Sequence, residues 1–218
     1  FSKIKLNANF VGEKPENGFT GFLSQSGALG AAVLNSLRET DIRFGHFVSV
    51  GNKADINEND LLHYWNEEEQ VKTLTFYLES FVNGEEFIKP FIEGKINKPV
   101  LILKAGKTSA GMKAASSHTG ALAVSDKIVD AVLNQFGIIR VNNLNELFNT
   151  AKGFENFYIP QGKRIAVITN AGGPAILAVD ALEKEGLELA QFTEETKTKI
   201  KEIIHPEGSA NNPVDMLT

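Results

Sequence analysis

The sequence has no cysteine and only four histidines, two methionines and one tryptophan. A chain without cysteine has no disulfide, no thiolate nucleophile and no cysteine-type zinc site, and it fits a reducing compartment. We therefore expect a cytoplasmic protein. The histidines, His46, His63, His118 and His205, show no HExxH-like or i,i+4 spacing, so the sequence predicts no metal site.

Blocks of like charge and long apolar runs are also missing. A net charge of −5 without a basic stripe argues against a nucleic-acid surface. No apolar run reaches membrane-spanning length, and no signal peptide is present, so we expect no membrane partner. What remains is an ordinary globular composition, 42% hydrophobic and 22% charged. The chain begins at Phe1 rather than Met and stops at Thr218, just after a Pro-Val-Asp turn, so we expect a fragment of a longer protein.

Short β-rich runs alternate with helical patterns over residues 19 to 157. This alternation is typical of a parallel sheet with crossover helices. The predicted strands are Phe19–Ser24, His46–Val50, Thr73–Leu78, Pro99–Lys104 and Ile138–Val141. The predicted helices are Ala28–Glu39, Asn59–Glu69, Glu85–Ile92, Asp126–Phe136 and Leu144–Phe157, and the stretch between Lys104 and Ser125 is expected to be a loop. The pattern predicts a flavodoxin-like, doubly wound α/β domain over residues 1–158.

A second domain is predicted after the Pro160–Lys163 linker. Arg164–Thr169 indicates a new strand, and Pro174–Glu185 indicates a new helix with proline in its first turn. Residues 163–218 are too few to form a large hydrophobic core of their own. We therefore expect a second α/β domain of similar type in truncated form.

The two predicted domains begin with the same pattern: an apolar strand, small polar residues, glycine and then an alanine-rich helix. The free N–H groups and positive dipole end of such a helix start attract anions, and glycine permits close approach. Ser24 and Ser26 could add hydroxyl donors in the first copy, as could Thr169 and Asn170 in the second. The alternative is that the glycines serve only the turns and the serines only cap the helix. Two copies in one chain favour phosphate binding.

His118 lies among small residues in KAASSHTGALAVSD, so no bulky neighbour screens its imidazole. A solvated or locally hydrogen-bonded histidine is the ordinary alternative. Glu79 follows the strand Thr73–Leu78, at the sheet edge where open α/β folds bind ligands. A carboxylate beside an imidazole fixes its tautomer and leaves the other nitrogen free to attack. The alternative is that Glu79 is a solvated loop glutamate without a role in catalysis.

Other polar segments also follow predicted strands. Ala105–Thr108 resembles the end of a P-loop, but Leu101 stands where the required glycine should be, so a Walker A loop is excluded. The surrounding lysines, Lys104, Lys107 and Lys113, form either a positive rim or ordinary solvated side chains. Gly51–Asp55 is a polar turn that could cap the next helix or contact a ligand. Together the loops after the strands predict one site at the carboxyl edge of the sheet.

The segments SQSGALG, SVGNKAD, SSHTGALA, TNAGGPA and NNPVD resemble the NDP-forming acyl-CoA synthetase family. That family includes ADP-forming acetate-CoA ligases and, more distantly, succinyl-CoA synthetase. The resemblance covers nearly the whole chain. It implies interconversion of acyl-CoA, NDP and phosphate with carboxylic acid, CoA and NTP, through a phosphorylated histidine.

The resemblance also implies a role for each site residue. His118 would be the nucleophile and phosphate carrier, and Glu79 its orienting carboxylate. The phosphate would be bound from one side by Ser24, Ser26 and Gly27, and from the other by a second group. That second group is Asn170, Gly172 and Gly173.

The complete enzyme implied by the resemblance has parts beyond these residues. A CoA-binding domain would precede Phe1, and an ATP-grasp domain or subunit would bind ATP or ADP with Mg²⁺. The fragment alone is expected not to turn over, and an oligomer is expected. The same module also occurs in protein lysine acetyltransferases as a regulatory ligand sensor, commonly without the histidine. A flavodoxin-like binding module without phosphoryl chemistry is the third possibility.

Overall fold

The computed structural model describes residues 1–8, 16–36, 42–119, 125–156 and 160–217, apart from the side chains of Ser116, His118, Thr119 and Asn156. The chain divides into two compact units, Phe1–Tyr158 and Ile159–Thr218. Among the described helices, none combines the length and apolar character needed to cross a membrane.

The first unit is built on a parallel sheet with the strand order β2-β1-β3-β4-β5. This is the flavodoxin-like order, in which the chain reverses direction across the sheet next to β1. The prediction of a doubly wound, flavodoxin-like domain is therefore confirmed. The strands are β1 (Asn17–Ser24), β2 (Phe44–Ser49), β3 (Thr73–Leu78), β4 (Val100–Lys104) and β5 (Ile139–Arg140).

Helices cover both faces of this sheet. Side chains alternate along each strand, so Leu23 and Phe76 belong to one apolar cluster while Phe22 and Leu101 belong to the other. Trp65 and Phe148 represent the helices of the two faces. The helices of the unit are α1 (Gly27–Asn35), α2 (Glu58–Glu67), α3 (Gly84–Ile92), α4 (Ser109–Thr119), α5 (Asp126–Gln135) and α6 (Leu144–Asn156).

The expectation of a loop between Lys104 and Ser125 is wrong, because α4 occupies residues 109–119. The helix starts at Thr108, whose Oγ1 accepts from the Gly111 N–H at 3.0 Å and whose carbonyl accepts from the Met112 N–H at 2.7 Å. Alanine has the highest helix propensity, and three alanines lie in this segment. The helix lacks the spaced large apolar residues that reveal a helix in a sequence.

His46 of β2 is buried as a neutral imidazole. Its Nδ1 accepts from the Trp65 Nε1–H at 2.9 Å, and Tyr64 stacks on the ring with a centroid separation of 5.7 Å. Burial, opposed by the charge of Glu68, lowers the pKa of His46 from 6.5 to about 4.

The free energy of unfolding of this unit should therefore decrease as the pH is lowered. Because the folded pKa is below the unfolded one, the unfolded state binds the extra proton, and stability is lost as the pH falls from 6.5 to about 4. At pH 5 the loss should be about 2 kcal/mol relative to pH 7.5. Urea unfolding followed by Trp65 fluorescence measures it. The variant His46→Gln should show a flatter pH dependence, and an unchanged slope would contradict the assignment.

The second unit contains two short two-stranded parallel pairs and two helices. Its elements are β6 (Arg164–Ile165), β7 (Ile168–Thr169), α7 (Gly172–Lys184), β8 (Glu188–Leu189), α8 (Glu194–Ile203) and β9 (Val214–Asp215). The strand predicted over Arg164–Thr169 is divided, because β6 pairs with β8 whereas β7 pairs with β9. Asn212 lies at the division: its Oδ1 accepts from the Val167 N–H, and its Nδ2 donates to the carbonyls of Ile165 and Ala190.

Candidate functional site

The carboxyl ends of the strands in the first unit lie at one edge of the sheet because all the strands are parallel. The start of α1 follows β1 at this edge, the Glu79 loop follows β3, and α4 follows β4. The next helix, α5, begins at the same edge. Asp126, the first residue of α5, pairs with Arg140 at the carboxyl end of β5, and Asp130 pairs with the same guanidinium at 3.1 Å.

The start of α1 has the geometry of an anion-binding helix end. Ser26 is the N-cap, and its Oγ accepts from the Leu29 N–H at 3.3 Å. Among the described residues, no acceptor is found for the N–H groups of Gly27 and Ala28, as helix geometry requires. A Cβ on Gly27 would meet only the Ser49 Oγ, at 3.8 Å, so the approach to these N–H groups is open. The Ser24 hydroxyl is buried and donates to the Ser26 carbonyl at 2.7 Å, which fixes the turn.

The Glu79–Ser80 backbone is held by the side chain of Gln25, a residue of the SQSG segment. The Gln25 Oε1 accepts from the Glu79 N–H at 2.8 Å and from the Ser80 N–H at 3.1 Å. Its Nε2 donates to the Ser80 Oγ at 3.2 Å. Gln25 is itself buried, and its own N–H donates to the Tyr77 carbonyl. The loop after β3 is therefore fixed to the loop after β1.

Two lysines hold the carbonyl groups of the same dipeptide. Lys104, at the end of β4, donates from Nζ to the Glu79 carbonyl at 2.8 Å and to the Ala105 carbonyl at 2.6 Å. Lys53, in the GNKAD turn after β2, donates from Nζ to the Ser80 carbonyl at 2.6 Å. We call Gln25, Lys53 and Lys104 the Glu79 clamp, because they bind both N–H groups and both carbonyls of Glu79 and Ser80.

Lys53 is paired with Glu58, and both side chains are almost fully buried. The Lys53 Nζ lies 2.7 Å from the Glu58 Oε2, and the Glu58 Oε1 accepts from the Val82 N–H at 2.6 Å. Burial lowers the pKa of Lys53, and the contact with Glu58 opposes that effect. The backbone of Lys53 is left-handed, with φ of 57°, a conformation that costs energy for a residue with a Cβ.

Glu79 directly follows β3, and its carboxylate lies near the Tyr77 hydroxyl. Burial is the main cause of the raised pKa of Tyr77, and the charge of Glu79 and a hydrogen bond to its side chain add to it. Burial also lowers the pKa of Lys104, while the charges of Asp126 and Glu79 act in the opposite direction. The edge thus combines a carboxylate, a buried ammonium and open helix N–H groups.

His118 belongs to the last turn of α4. Its side chain and residues 120–124 lie outside the described part of the chain, so its predicted pairing with Glu79 stays a prediction. The helix leaves β4 at the carboxyl edge, and the following helix α5 begins at that edge. The starts of α4 and α5, the helices on either side of the His118 segment, therefore both lie at the edge where Glu79 and the α1 start are found.

The structure gives several polar residues of the predicted segments roles that the sequence does not indicate. Gly51–Asp55 does not cap α2, since Asn57 does so in a capping box with Asp60. Lys107 donates to the Asn142 Oδ1 at 2.6 Å, while Lys113 is exposed. Gln25 and Lys53 stand within the segments SQSG and GNKAD, which the sequence does mark, but burial of their side chains cannot be read from those motifs.

The second unit has a comparable helix start. Gly172 begins α7, and a Cβ on Gly172 or Gly173 would meet no atom within 4 Å. In the described part of the chain, the N–H groups of both glycines have no acceptor. The Thr169 Oγ1 accepts from the Ala171 N–H at 3.0 Å, so this hydroxyl serves the turn, and Asn170 is exposed. No group of three histidine, aspartate or glutamate side chains that could hold a metal is found within the described ranges of either unit.

Comparison with known proteins assigns both units. Residues 17–154 match the model of the succinyl-CoA ligase-like flavodoxin domain, and residues 165–218 match that of the Ligase-CoA domain. The chain is 40% identical to the alpha subunit of acetate–CoA ligase [ADP-forming] II of Pyrococcus furiosus over 212 residues, 97% of this chain and 46% of the relative. It is 42% identical to 4-hydroxybutyrate–CoA ligase [ADP-forming] of Nitrosopumilus maritimus over 218 residues, 99% of this chain and 31% of the relative.

A solved structure supports the same assignment. It is the dinucleotide-forming acetyl-coenzyme A synthetase 1 of Candidatus Korarchaeum cryptofilum in complex with phosphate and ADP. The TM-score is 0.90 at 33% identity, over 99% of this chain and 47% of that one. The chain thus spans half or less of the length of these relatives. It belongs to the NDP-forming acyl-CoA synthetase family, through its succinyl-CoA ligase-like flavodoxin domain.

Proposed function

We propose that this chain is the phosphoryl-carrying part of an NDP-forming acyl-CoA synthetase. The observation that carries the proposal is the convergence, at one sheet edge, of the open α1 start, the Glu79 loop and the starts of α4 and α5, the two helices on either side of the His118 segment. The names of the relatives, ADP-forming CoA ligases, support the overall reaction. The phosphate and ADP in the solved relative support the two ligand classes.

The proposed chemistry passes one phosphoryl group through His118. Phosphate displaces CoA from acyl-CoA to give an acyl phosphate. An imidazole nitrogen of His118 then attacks phosphorus, forming an N–P bond and breaking the acyl O–P bond, which releases the carboxylate. A terminal phosphate oxygen of ADP attacks the phosphohistidine, breaking the N–P bond and forming ATP.

Each residue of the site has a proposed part in this sequence. Glu79 would orient the imidazole, while Ser26 and Gly27 would present the α1 start to the phosphoryl group, with Ser24 fixing that turn. A second helix start, after β7, would also bind the phosphoryl group. It consists of Asn170, Gly172 and Gly173.

The remaining parts of the enzyme are also proposals. CoA is expected on an N-terminal CoA-binding domain, and ADP or ATP with Mg²⁺ on an ATP-grasp domain or subunit. The protein is expected to be a cytoplasmic oligomer. Residues 165–218 would form the beginning of the second ligase domain.

The test is a carboxylate-dependent assay with the complete enzyme. Acetate and other short carboxylic acids, CoA, ATP and Mg²⁺ should give an acyl thioester with ADP and phosphate as products. Formation of AMP and pyrophosphate instead, or no thioester with any acid in a folded, nucleotide-binding protein, would contradict the proposal. The second outcome would favour a regulatory ligand-sensing module.

A further inference from the structure

The backbone of Glu79 and Ser80 is bound by side chains from two neighbouring loops and from the end of β4, rather than by backbone partners in a sheet or helix. Gln25 binds the two N–H groups, Lys104 binds the Glu79 carbonyl and Lys53 binds the Ser80 carbonyl. Most side-chain hydrogen bonds in proteins do go to backbone, but a dipeptide whose backbone groups are all held by side chains of other segments is unusual.

The arrangement has features that folding alone does not require. A charged Lys53–Glu58 pair is buried, and replacing such pairs by apolar residues is often neutral or stabilising. Lys53 also adopts a left-handed backbone, and such conformations concentrate at functional sites. Both features converge on the one loop that carries the Glu79 carboxylate.

We propose that the Glu79 clamp, Gln25, Lys53 and Lys104, fixes the Glu79 carboxylate for phosphoryl transfer at His118. The three are positioning residues that act through Glu79. Glu58 holds Lys53 in place and also binds the Val82 N–H, so the loop is held on both sides of Ser80. This inference rests on the proposed function, because it assigns the clamp to the same transfer step.

Lys98, which lies just before β4, provides a matched control for Lys104. Its Nζ donates to the carbonyls of Trp65 and Glu68, both at 2.7 Å, and burial lowers the pKa of Lys98 as it does that of Lys104. Lys98 precedes β4, whereas Lys104 ends it, so Lys98 lies at the opposite edge of the sheet. Lys98→Met and Lys104→Met therefore each remove a lysine from two carbonyls, at opposite edges of the sheet.

The experiment measures the rate at which the complete enzyme takes up label from γ-labelled ATP. Lys104→Met should slow labelling about 10- to 100-fold, a loss typical of removing a supporting residue from a preorganised site. Lys98→Met should label within about threefold of the unchanged enzyme at a similar melting temperature. Equal labelling rates in the two variants would overturn the proposal. If the unchanged enzyme took up no label, the proposed function would fail first.

A double variant separates positioning from direct contact with phosphate. If Lys104 acts through Glu79, adding Lys104→Met to Glu79→Gln should cause no further loss beyond about twofold. A full additional loss would show that Lys104 acts on the phosphoryl group itself and would overturn the positioning role. Should Lys104→Met not fold, the charge-neutral pair Lys53→Met with Glu58→Gln tests the same clamp, with the same expected slowing and the same control.

Discussion

Replacing His118 with alanine should abolish acyl-CoA synthesis by the complete enzyme, with a fall in kcat of about a thousandfold or more. The proposed reaction forms a covalent bond to this imidazole, and alanine offers no nucleophile in its place. The initial rate of thioester formation from a carboxylic acid, CoA and ATP measures the effect. CoA and nucleotide binding should be unchanged, because the proposal places both ligands on other domains.

His63 offers the matched control for this substitution. It is exposed on α2, so His63→Ala makes the same chemical change away from the site. Its rate should stay within about twofold of the unchanged enzyme. A His118→Ala enzyme that keeps a tenth or more of its activity would exclude a phosphohistidine at this position.

Replacing Glu79 with glutamine should slow the reaction about a hundredfold or more. Glutamine keeps the size and the backbone hydrogen bonds of Glu79 but removes the charge that, in the proposed mechanism, orients the imidazole and stabilises its charged form. The rate of label uptake from γ-labelled ATP reports the loss at the transfer step itself. The melting temperature should change little, because glutamine keeps the backbone hydrogen bonds that the Glu79 clamp makes to this residue.

Glu67→Gln controls for the change in net charge, because Glu67 is exposed on α2. It should label at the unchanged rate. If Glu79→Gln and Glu67→Gln behaved alike, Glu79 would be an ordinary loop glutamate, which is the alternative that the sequence leaves open.

The order of strands and helices in the first unit could be predicted because short apolar runs and the helical patterns between them are local properties of the sequence. The carboxyl edge follows from them, since parallel strands align their ends. The helix that carries His118 could not be found in this way. Most of its residues are small, and three are alanines, which favour a helix, while no apolar face is visible.

The Glu79 clamp was hidden for a different reason. Lysine and glutamine are usually solvated, and nothing local to Lys53 or Lys104 indicates that neighbouring strands enclose it. Burial of these side chains depends on the strand order β2-β1-β3-β4, which brings the ends of four strands side by side. In the second unit, the divided strand depends likewise on Asn212, which lies far along the chain from Ile165 and Val167.

The central claim is that a phosphoryl group passes through His118, and labelling tests it most directly. The complete enzyme is incubated with γ-labelled ATP and Mg²⁺, and the protein is then tested for acid-labile, base-stable label. We expect such label on the unchanged enzyme, its loss when a carboxylic acid and CoA are added, and its absence in His118→Ala. No label on a folded, nucleotide-binding enzyme, or label that persists in His118→Ala, would contradict the account.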